Sequence, residues 1–352
     1  MDELSRRDVL KSGALMAPAL LGLTSFSASA ADPYEDAVLL DGEPPKLTPG
    51  AYTIAVLPDT QFYSQTYPQT YIAQTNWIVE NKAARNIACV LHLGDITNNN
   101  TVPEWVAAQK AMQKLDGHVP YFMVPGNHDY SAGGGCKDRT TLMSEYFPVS
   151  SFKGKPTFGG VYDKEPERIE NSYHTFTVGQ RKFLVIALEF GPRRDVVRWA
   201  NDIAARHPEH SAILITHVYM YHDDTRYDWK GQGKKQAWNP HGYAVAGATK
   251  DDVMDGEELW TELVSKHKNF IMTLNGHVLK DGLGRLSSKS PSSGHDVHQM
   301  LVNFQMRPKG GDGWLRLLEF REDSKLVQVY DYSPMRKQRN ESGQNQFTLG
   351  LA

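Results

Sequence analysis

A length of 352 residues, 40% of them hydrophobic and 22% charged, is enough to bury a sizeable core and excludes a generally disordered chain. Lys plus Arg number 38 and Asp plus Glu number 41, so the net charge of −3 gives no overall attraction to a nucleic-acid polymer or an anionic membrane surface. The two cysteines, Cys89 and Cys136, are too few for a disulfide-stapled scaffold or a four-cysteine zinc site.

The first thirty residues have the pattern of an export signal. Arg6 and Arg7 precede an apolar stretch at 14–23 and small residues at 28–30, which is the order of segments in a cleavable signal. The adjacent arginines resemble a twin-arginine signal, whose usual pattern has Phe where this chain has Val9. An ordinary secretory signal that carries two arginines is the alternative.

This pattern predicts where the mature chain is located. We expect the export machinery to recognise residues 1–30, cleavage near Ala30, and a periplasmic or secreted product. The apolar stretch is shorter than the roughly 20 residues that a membrane-spanning helix needs. Residues 31–352 are therefore predicted to form a single domain without a stable membrane span.

Strands and helices alternate in the first half of the mature chain. Apolar runs predict strands at 52–57, 87–93 and 121–124, and helical spacing predicts a helix at 68–85. A capping hydroxyl, an early proline and a glutamate at its start predict a second helix from 101 to about 116. This alternation indicates parallel strands, and ligands bind at the carboxyl ends of the strands in such sheets.

The sequence pattern of the second half predicts further strands and helices, which we expect to pack as another layer. Residues 219–250 have no regular pattern but many Tyr, Trp and Gly residues, and loops of that length in a compact domain are usually functional or mobile. The predicted elements are a hairpin at 174–178 and 182–188, helices at 195–206 and 257–267, strands at 212–216 and 270–274, and closing antiparallel strands at 300–304, 314–320 and 326–330.

Five short polar segments stand at or just beyond the ends of these strands. They are Asp59-Thr60-Gln61, Gly94-Asp95-Ile96-Thr97-Asn98, Gly126-Asn127-His128-Asp129, His217 and Gly276-His277. Taken singly, each has an ordinary structural role as a turn, a helix cap or a hydrogen-bonded histidine. Their order and their shared position at strand ends favour one site.

In this order the segments resemble the blocks of the calcineurin-like metallophosphoesterase family, over roughly residues 54–277. The resemblance implies an α/β fold of four layers, a two-sheet sandwich flanked by helices. It also implies hydrolysis of a phosphate mono- or diester by a metal-bound hydroxide. Two divalent ions, with Mn, Fe or Zn as candidates, would lower the pKa of the water between them and bind the phosphoryl oxygens.

The resemblance also assigns roles to individual residues. Asp95 would bridge the two ions, and Asp59 and Gln61 would bind the first ion. The residues implied for the second ion are Asn127, His217 and His277. His128 would protonate or stabilise the departing oxygen, with Asp129 orienting its imidazole.

Two positions depart from the family pattern. Gln61 stands where many members have His, and its amide oxygen is a weaker ligand than imidazole. Leu279 replaces the second His of G-H-x-H and cannot bind a metal. Asp281 is the favoured replacement because a carboxylate would restore charge, and a simple turn role for it before Gly282 is equally compatible with the sequence. The further alternatives are His295 and His298.

The implied substrate is a phosphorylated small molecule, a nucleotide or a lipid, and the sequence identifies no substrate-binding residue. Two other functions remain alternatives. Gln61 and Leu279 are compatible with a family member that binds metal or a phosphate ester with little turnover. An interaction module would instead use the aromatic residues of 219–250 and predicts no metal. Retention of His128 and Asp129 favours the enzyme, because a binding protein needs no leaving-group acid.

Overall fold

A computed structural model describes residues 32–323 and 325–351. The predicted export signal at 1–30 lies outside the described residues. Residues from Asp36 onward form one compact unit, which contains both sheets of the fold. In the described ranges the fifteen strands are β1 (Leu39–Asp41), β2 (Tyr52–Leu57), β3 (Ile87–His92), β4 (Tyr121–Met123), β5 (Phe158–Val161), β6 (Ser172–Val178), β7 (Arg181–Leu188), β8 (Ser211–Thr216), β9 (Phe270–Asn275), β10 (Leu283–Lys289), β11 (Asp296–Val302), β12 (Leu315–Phe320), β13 (Leu326–Ser333), β14 (Gln338–Asn340) and β15 (Phe347–Gly350).

The helices are mostly short, and in the described part of the chain none is long and apolar enough to cross a membrane. The unpatterned segment at 219–250 contains two of them, Trp229–Gln232 and Ala244–Ala248. The helices are α1 (Gln61–Gln65), α2 (Pro68–Glu80), α3 (Val102–Met112), α4 (Met143–Tyr146), α5 (Arg194–Arg206), α6 (Trp229–Gln232), α7 (Ala244–Ala248), α8 (Gly256–Glu262) and α9 (Pro308–Gly311).

The first sheet has the strand order β1-β14-β13-β12-β2-β3-β4, with β15 added beside β13. Strands β2, β3 and β4 are parallel, as the alternating pattern predicts. Helix α3 begins with the predicted capping box of Thr101 and Glu104. Helix α2 ends at Glu80, five residues before the predicted end, because the Asn81 side chain donates to the carbonyl oxygen of Trp77 and closes the last turn.

The second sheet has the order β10-β11-β9-β8-β7-β6-β5 and contains the predicted hairpin β6–β7. One prediction is wrong here. The strand expected at 300–304 as a closing antiparallel element is β11, which lies beside β9 in the second sheet and runs parallel to it. The reason is β10, a strand that the sequence analysis did not identify and that pairs antiparallel with the other edge of β11. The carboxyl end of β11 therefore lies at the same edge as that of β9.

The two sheets pack face to face with helices outside. Phe122 of β4 contacts Phe176 of β6 with 6.0 Å between ring centroids, and Phe183 of β7 lies 5.3 Å from Phe320 of β12, so aromatic rings fill the space between the sheets. Helices α2 and α3 share a buried cluster with β2–β4, and α5 and α8 share another with β7–β9. This is the predicted two-sheet sandwich flanked by helices.

A buried ion pair joins the neighbouring strands β12 and β13 and supplies a test of the fold. Arg316 donates through Nε and one Nη to both carboxylate oxygens of Asp331, at 2.8 and 2.7 Å, and both side chains are at most 1% exposed. We expect Arg316→Met to lower the free energy of unfolding by about 3 kcal/mol, because the Asp331 charge would stay buried without a cationic partner.

Urea denaturation measures this loss. The control is Lys266→Met, since the Lys266–Glu262 pair is about half exposed and is expected to contribute less than about 1 kcal/mol. Equal losses in the two variants would contradict the role given to the buried pair.

Candidate metal centre

Polar side chains from both sheets meet at the edge where parallel strands end. Asp59 follows β2, Asp95 follows β3 and His217 follows β8, and the ligand atoms of these three residues all lie within 4.8 Å of one another. All three residues are at most 1% exposed. They are far apart in the sequence, and the shared strand direction brings them together.

Asp59 is held by groups from the second sheet. Its two carboxylate oxygens accept the backbone N–H of His277 at 3.2 and 3.1 Å, and Oδ2 also accepts from Asn303 Nδ2 at 2.9 Å. Burial raises the pKa of Asp59 well above its ordinary value, His217 opposes that shift, and the Asp95 charge adds to it. Ionised Asp59 is therefore costly at this position unless a cation compensates it.

Asp95 and His217 are in direct contact, with 3.2 Å between Oδ1 and Nε2. His217 Nδ1 donates to the carbonyl oxygen of Leu93 at 2.7 Å, so Nε2 is the nitrogen that faces the two carboxylates. Burial alone lowers the pKa of an imidazole, but the charges of Asp95 and Asp59 outweigh it and raise the pKa of His217 to about 9. Burial likewise raises the pKa of Asp95, and the histidine charges reverse that shift and bring it below its ordinary value.

The donor atoms of the predicted ligands fit a divalent ion. Two of them, Gln61 Oε1 and Asn127 Oδ1, are buried acceptors without a hydrogen-bond partner in the described ranges, and His217 Nε2 has only its contact with Asp95. An unsatisfied buried acceptor costs about 1–3 kcal/mol, so the Gln61 and Asn127 oxygens need an explanation. Carboxylate, amide and imidazole donors together suit Mn, Fe or Zn.

His277 lies beside this group, with its ring near that of His217. Its Nε2 donates to the carbonyl oxygen of Trp238 at 2.8 Å, and burial, with the nearby His217 charge, lowers the pKa of His277 to about 3. A neutral imidazole that donates through Nε2 carries its lone pair on Nδ1. The ring lies 4.9 Å from that of His217. His277 is therefore a neutral nitrogen donor with a fixed tautomer.

His128 lies at the partly exposed rim, and its predicted partner is different in the structure. Its Nδ1 contacts the carbonyl oxygen of Asn98 at 2.9 Å, and its backbone N–H donates to Asp95 Oδ1 at 3.0 Å. The interpretation that Asp129 orients this imidazole is wrong. Asp129 instead accepts the backbone N–H groups of Ile96, Thr97 and Gly126 at 2.7–3.0 Å.

Asp129 thus fixes the loop that carries Asp95. Burial, together with the Asp95 charge, raises the pKa of Asp129 to about 6, against the opposing effect of those three N–H donors. The family resemblance had implied that Asp129 is the partner of the His128 imidazole. The tight turn Asn127–Asp129 instead turns the carboxylate toward Gly126 and toward the loop that carries Asp95.

The residues considered as replacements for Leu279 do not belong to this group of ligand atoms and make hydrogen bonds elsewhere. Asp281 is exposed and accepts the N–H of Leu283 at 3.3 Å, which is the turn role that the sequence left open. His295 Nε2 contacts the carbonyl oxygen of Phe270. His298 is engaged through both ring nitrogens, by Ser287 Oγ and the carbonyl oxygen of Gly350.

Sequence reasoning missed two buried amides, Asn303 and Gln305. Both follow β11, and both reach Asp59 Oδ2, through Nδ2 at 2.9 Å and Nε2 at 3.4 Å. A usable signal existed, because polar residues directly after an apolar run also marked the other site loops. It was lost when the strand was assigned to an antiparallel closing layer, whose carboxyl end need not lie at the site.

Two glycines allow the loops to approach the carboxylates. A Cβ atom at Gly126 would lie 2.1 Å from Asp95 Oδ1, and one at Gly276 would lie 2.0 Å from Asp59 Oδ1. Both distances are far below van der Waals contact, so a side chain at either position would displace the carboxylate. The glycine in each motif is therefore a steric requirement of the site.

A second acidic group surrounds His241, with Asp255 and Glu258 close by. His241 Nδ1 contacts Asp251 at 2.6 Å and Nε2 contacts Glu258 at 2.8 Å. With a carboxylate on each ring nitrogen, both nitrogens act as N–H donors and the ring is an imidazolium. This group is an ion-pair clasp that holds the 228–252 segment, which includes Trp238, onto α8.

Comparison with known proteins gives a family match over most of the chain. A model of the calcineurin-like phosphoesterase family matches residues 52–281. The uncharacterised protein YvnB of Bacillus subtilis (strain 168) is 29% identical over 297 residues, which are 82% of this chain and 20% of that protein. The chain thus spans about a fifth of the length of this curated relative.

Several solved structures align with most of the chain. Purple acid phosphatase PPD1 from yellow lupin seeds has a TM-score of 0.43 and 13% identity, covering 87% of this chain and 55% of that chain. The 5'-nucleotidase precursor from Thermus thermophilus has a TM-score of 0.42 and 12% identity, covering 86% and 54%. NAD nucleotidase (NadN) of Haemophilus influenzae has a TM-score of 0.41 and 14% identity, covering 87% and 51%. The chain spans about half the length of each.

The His241 clasp predicts a stability change with pH. Burial by itself lowers the pKa of His241, but Glu258 and Asp251 outweigh it and raise this pKa to about 9. A raised folded-state pKa means that the stabilisation is complete below the ordinary value of 6.5 and is lost as the pH rises through 9. We expect His241→Gln to lower the free energy of unfolding by about 1 kcal/mol at pH 6 and by much less at about pH 9.5, allowing for the exposure of Asp251.

Urea denaturation at the two pH values measures the difference. His118→Gln, at an exposed histidine, is the control variant and should leave the pH dependence as in the natural chain. A loss of stability in His241→Gln that is the same at both pH values would contradict the clasp.

Proposed function

We propose a hydrolytic function for this chain, which belongs to the calcineurin-like phosphoesterase family. The reaction is the metal-dependent hydrolysis of a phosphate ester. The observation that carries the proposal is the buried group of Asp59, Asp95 and His217, surrounded by acceptor atoms that lack hydrogen-bond partners in the described part of the chain. Such a group is unfavourable as an isolated charge cluster and becomes favourable around divalent cations.

The residues present would hold two ions that share one carboxylate. Asp59 and Gln61 would bind the first ion, and Asn127, His217 and His277 would bind the second. Asp95 would bridge them, which its contact with His217 and its position beside Asp59 support. Bound divalent ions would activate water and neutralise charge on the phosphoryl oxygens.

His128 supports turnover rather than binding alone. Its Nδ1 is taken by the carbonyl oxygen of Asn98, so Nε2 is the atom that can deliver a proton to the departing oxygen. The half-buried ring stands beside the buried group and is anchored there by its own backbone N–H on Asp95. A protein that only binds metal or a phosphate ester has no use for this arrangement.

The finer assignments are part of the same proposal. A mono- or diester of a small molecule, nucleotide or lipid is the expected substrate class, and Mn, Fe and Zn are the candidate metals. Export through a signal at 1–30 and a periplasmic or secreted location are supported by Arg6 and Arg7 and by the small residues before Ala30.

The proposal is tested with two aryl esters, one alkyl ester and one substitution. We expect Mn²⁺ to stimulate hydrolysis of a p-nitrophenyl monoester or of the bis(p-nitrophenyl) diester, and comparing the two assigns the ester class. His128→Ala should lower kcat for an alkyl ester such as glycerol phosphate by about 100-fold or more while metal content is retained, because protonation of the alkoxide leaving group is lost.

The control is His118→Ala, at an exposed histidine, which should keep the natural rate. Full activity of His128→Ala would overturn the role of His128. No hydrolysis of either ester by a metal-loaded chain would favour the binding alternative.

A further inference from the structure

The loop after β11 directs a second amide at Asp59. Asn303 donates to Asp59 Oδ2 at 2.9 Å and to the carbonyl oxygen of Val278 at 3.1 Å, and its Oδ1 accepts the backbone N–H of Gln305 at 2.9 Å. Asn303 thus uses both ends of its amide to fix the loop. The Gln305 side chain is left pointing at the same carboxylate oxygen, with Nε2 at 3.4 Å.

The hydrogen-bonding groups of the Gln305 amide are poorly satisfied. A separation of 3.4 Å is long for an N–H···O bond, and Oε1 is buried with no partner within residues 32–323 and 325–351. Two neighbouring ligands of one octahedral ion, each bonded at about 2.1 Å, lie about 3 Å apart. A half-turn of the amide exchanges Nε2 and Oε1, and the amide and the carboxylate are then spaced as ligands of one ion.

We propose that Gln305 Oε1 binds the same metal ion as Asp59 and replaces the imidazole that Leu279 cannot supply. This proposal rests on the metal site of the proposed function. The ligands of that ion would then be Asp59, Gln61, Asp95 and Gln305, and all of them bind through oxygen. Carboxylate and amide oxygens suit Mn²⁺ and Mg²⁺, whereas imidazoles suit Zn²⁺ and Fe²⁺. The position at Asp59 therefore favours Mn²⁺ over Zn²⁺, and the position with two imidazoles does not.

Gln74 provides a matched control within the same chain. It is also buried, and its Oε1 also lacks a partner in the described ranges. Its Nε2 donates to the carbonyl oxygen of Trp314 at 2.9 Å and not to a carboxylate. Removing its amide tests the effect of losing a buried glutamine without touching the proposed ion.

Calorimetric titration of the metal-free full chain with Mn²⁺ and then with Zn²⁺ tests the proposal. Gln305→Met keeps the side-chain length and removes the amide, and we expect one Mn²⁺ binding event to weaken at least about tenfold, as metal sites do when a supporting group is lost. Gln74→Met should bind both metals as the natural chain does. Leu279→His should shift the metal preference of the Asp59 position from Mn²⁺ toward Zn²⁺. Unchanged Mn²⁺ binding by a folded Gln305→Met would overturn the proposal.

Gln305→Glu keeps the test decisive if the Met variant fails to fold. A carboxylate at this position should tighten the same Mn²⁺ event about tenfold, and no change would overturn the proposal. Calorimetry measures binding without turnover. A failure of the Gln305 proposal in this test therefore leaves the hydrolytic function standing. Intact metal binding without hydrolysis would instead fail the proposed function alone.

An independent observation concerns a cavity of about 370 Å³ beside His277. Its lining includes Trp229, Lys234, Gln236, Trp238 and Tyr243. The carbonyl oxygen of Trp238 is the one that accepts from His277 Nε2, and the Tyr243 ring lies 6.1 Å from the His277 ring. The cavity thus adjoins the metal centre.

The conformation of Trp238 is unusual for a bulky residue. Its φ is +63°, in the left-handed region, and its side chain is 46% exposed. Bulky residues rarely adopt this conformation, and backbone strain collects at functional sites. The His241 clasp holds the segment that carries it.

We infer that this cavity receives the leaving group of the ester and that this group carries a flat aromatic ring. The inference rests on the proposed function. Indole and phenol faces stack on aromatic rings, and Lys234 adds positive charge for a polar substituent. A nucleoside, through its base, or an aryl alcohol meets this description, and a simple polyol does not.

Comparing two esters in two variants tests this inference. Trp238→Ala should lower kcat/KM for p-nitrophenyl phosphate at least about tenfold and leave glycerol phosphate within about twofold, because only the aryl group stacks on the indole. Trp238→Phe should retain most of the aryl activity. An equal effect on both esters would overturn the inference. Quenching of tryptophan fluorescence by p-nitrophenol, weakened in Trp238→Ala, gives a readout without turnover and separates failure of the cavity from failure of the hydrolase.

Discussion

The mutual repulsion of two buried carboxylates, Asp59 and Asp95, is the constraint on which the site depends. Both are almost completely buried, and the nearby His217 imidazolium cannot offset both charges. As a result, the pKa of Asp59 is raised and the pKa of Asp95 is lowered from the ordinary value. Divalent cations would remove it, release the His217 proton and use the acceptor atoms of Gln61 and Asn127.

The fold creates this arrangement at the edge where parallel strands of both sheets end. Asp59 and Asp95 end strands of the first sheet, while His217, His277 and the 303–305 loop end parallel strands of the second. Where the two edges meet, backbone N–H groups donate hydrogen bonds to the carboxylates, and carbonyl oxygens accept hydrogen bonds from the imidazoles. The strand ends thus determine both which groups are charged and which tautomer each histidine adopts.

Sequence reasoning was most successful where local pattern and strand direction were enough. The apolar runs before Asp59, Asp95 and His217 predicted strands and therefore a shared edge. The direction of β11 was not predictable from its own residues, because the pairing with β10 decides it, and Gln305 was missed for that reason. The partner of Asp129 depends on the conformation of a tight turn. The order of residues in the sequence does not specify that conformation.

Metal content per chain tests the central claim most directly. Elemental analysis of the full chain, purified without chelators and without added metal, should give about two equivalents of Mn, Fe or Zn. The Asp59 cluster would then be the centre of a hydrolase in which the buried charges are compensated by the ions. A chain that is folded and contains no metal would contradict this account, because Asp59 and Asp95 would then lie buried together for no chemical reason.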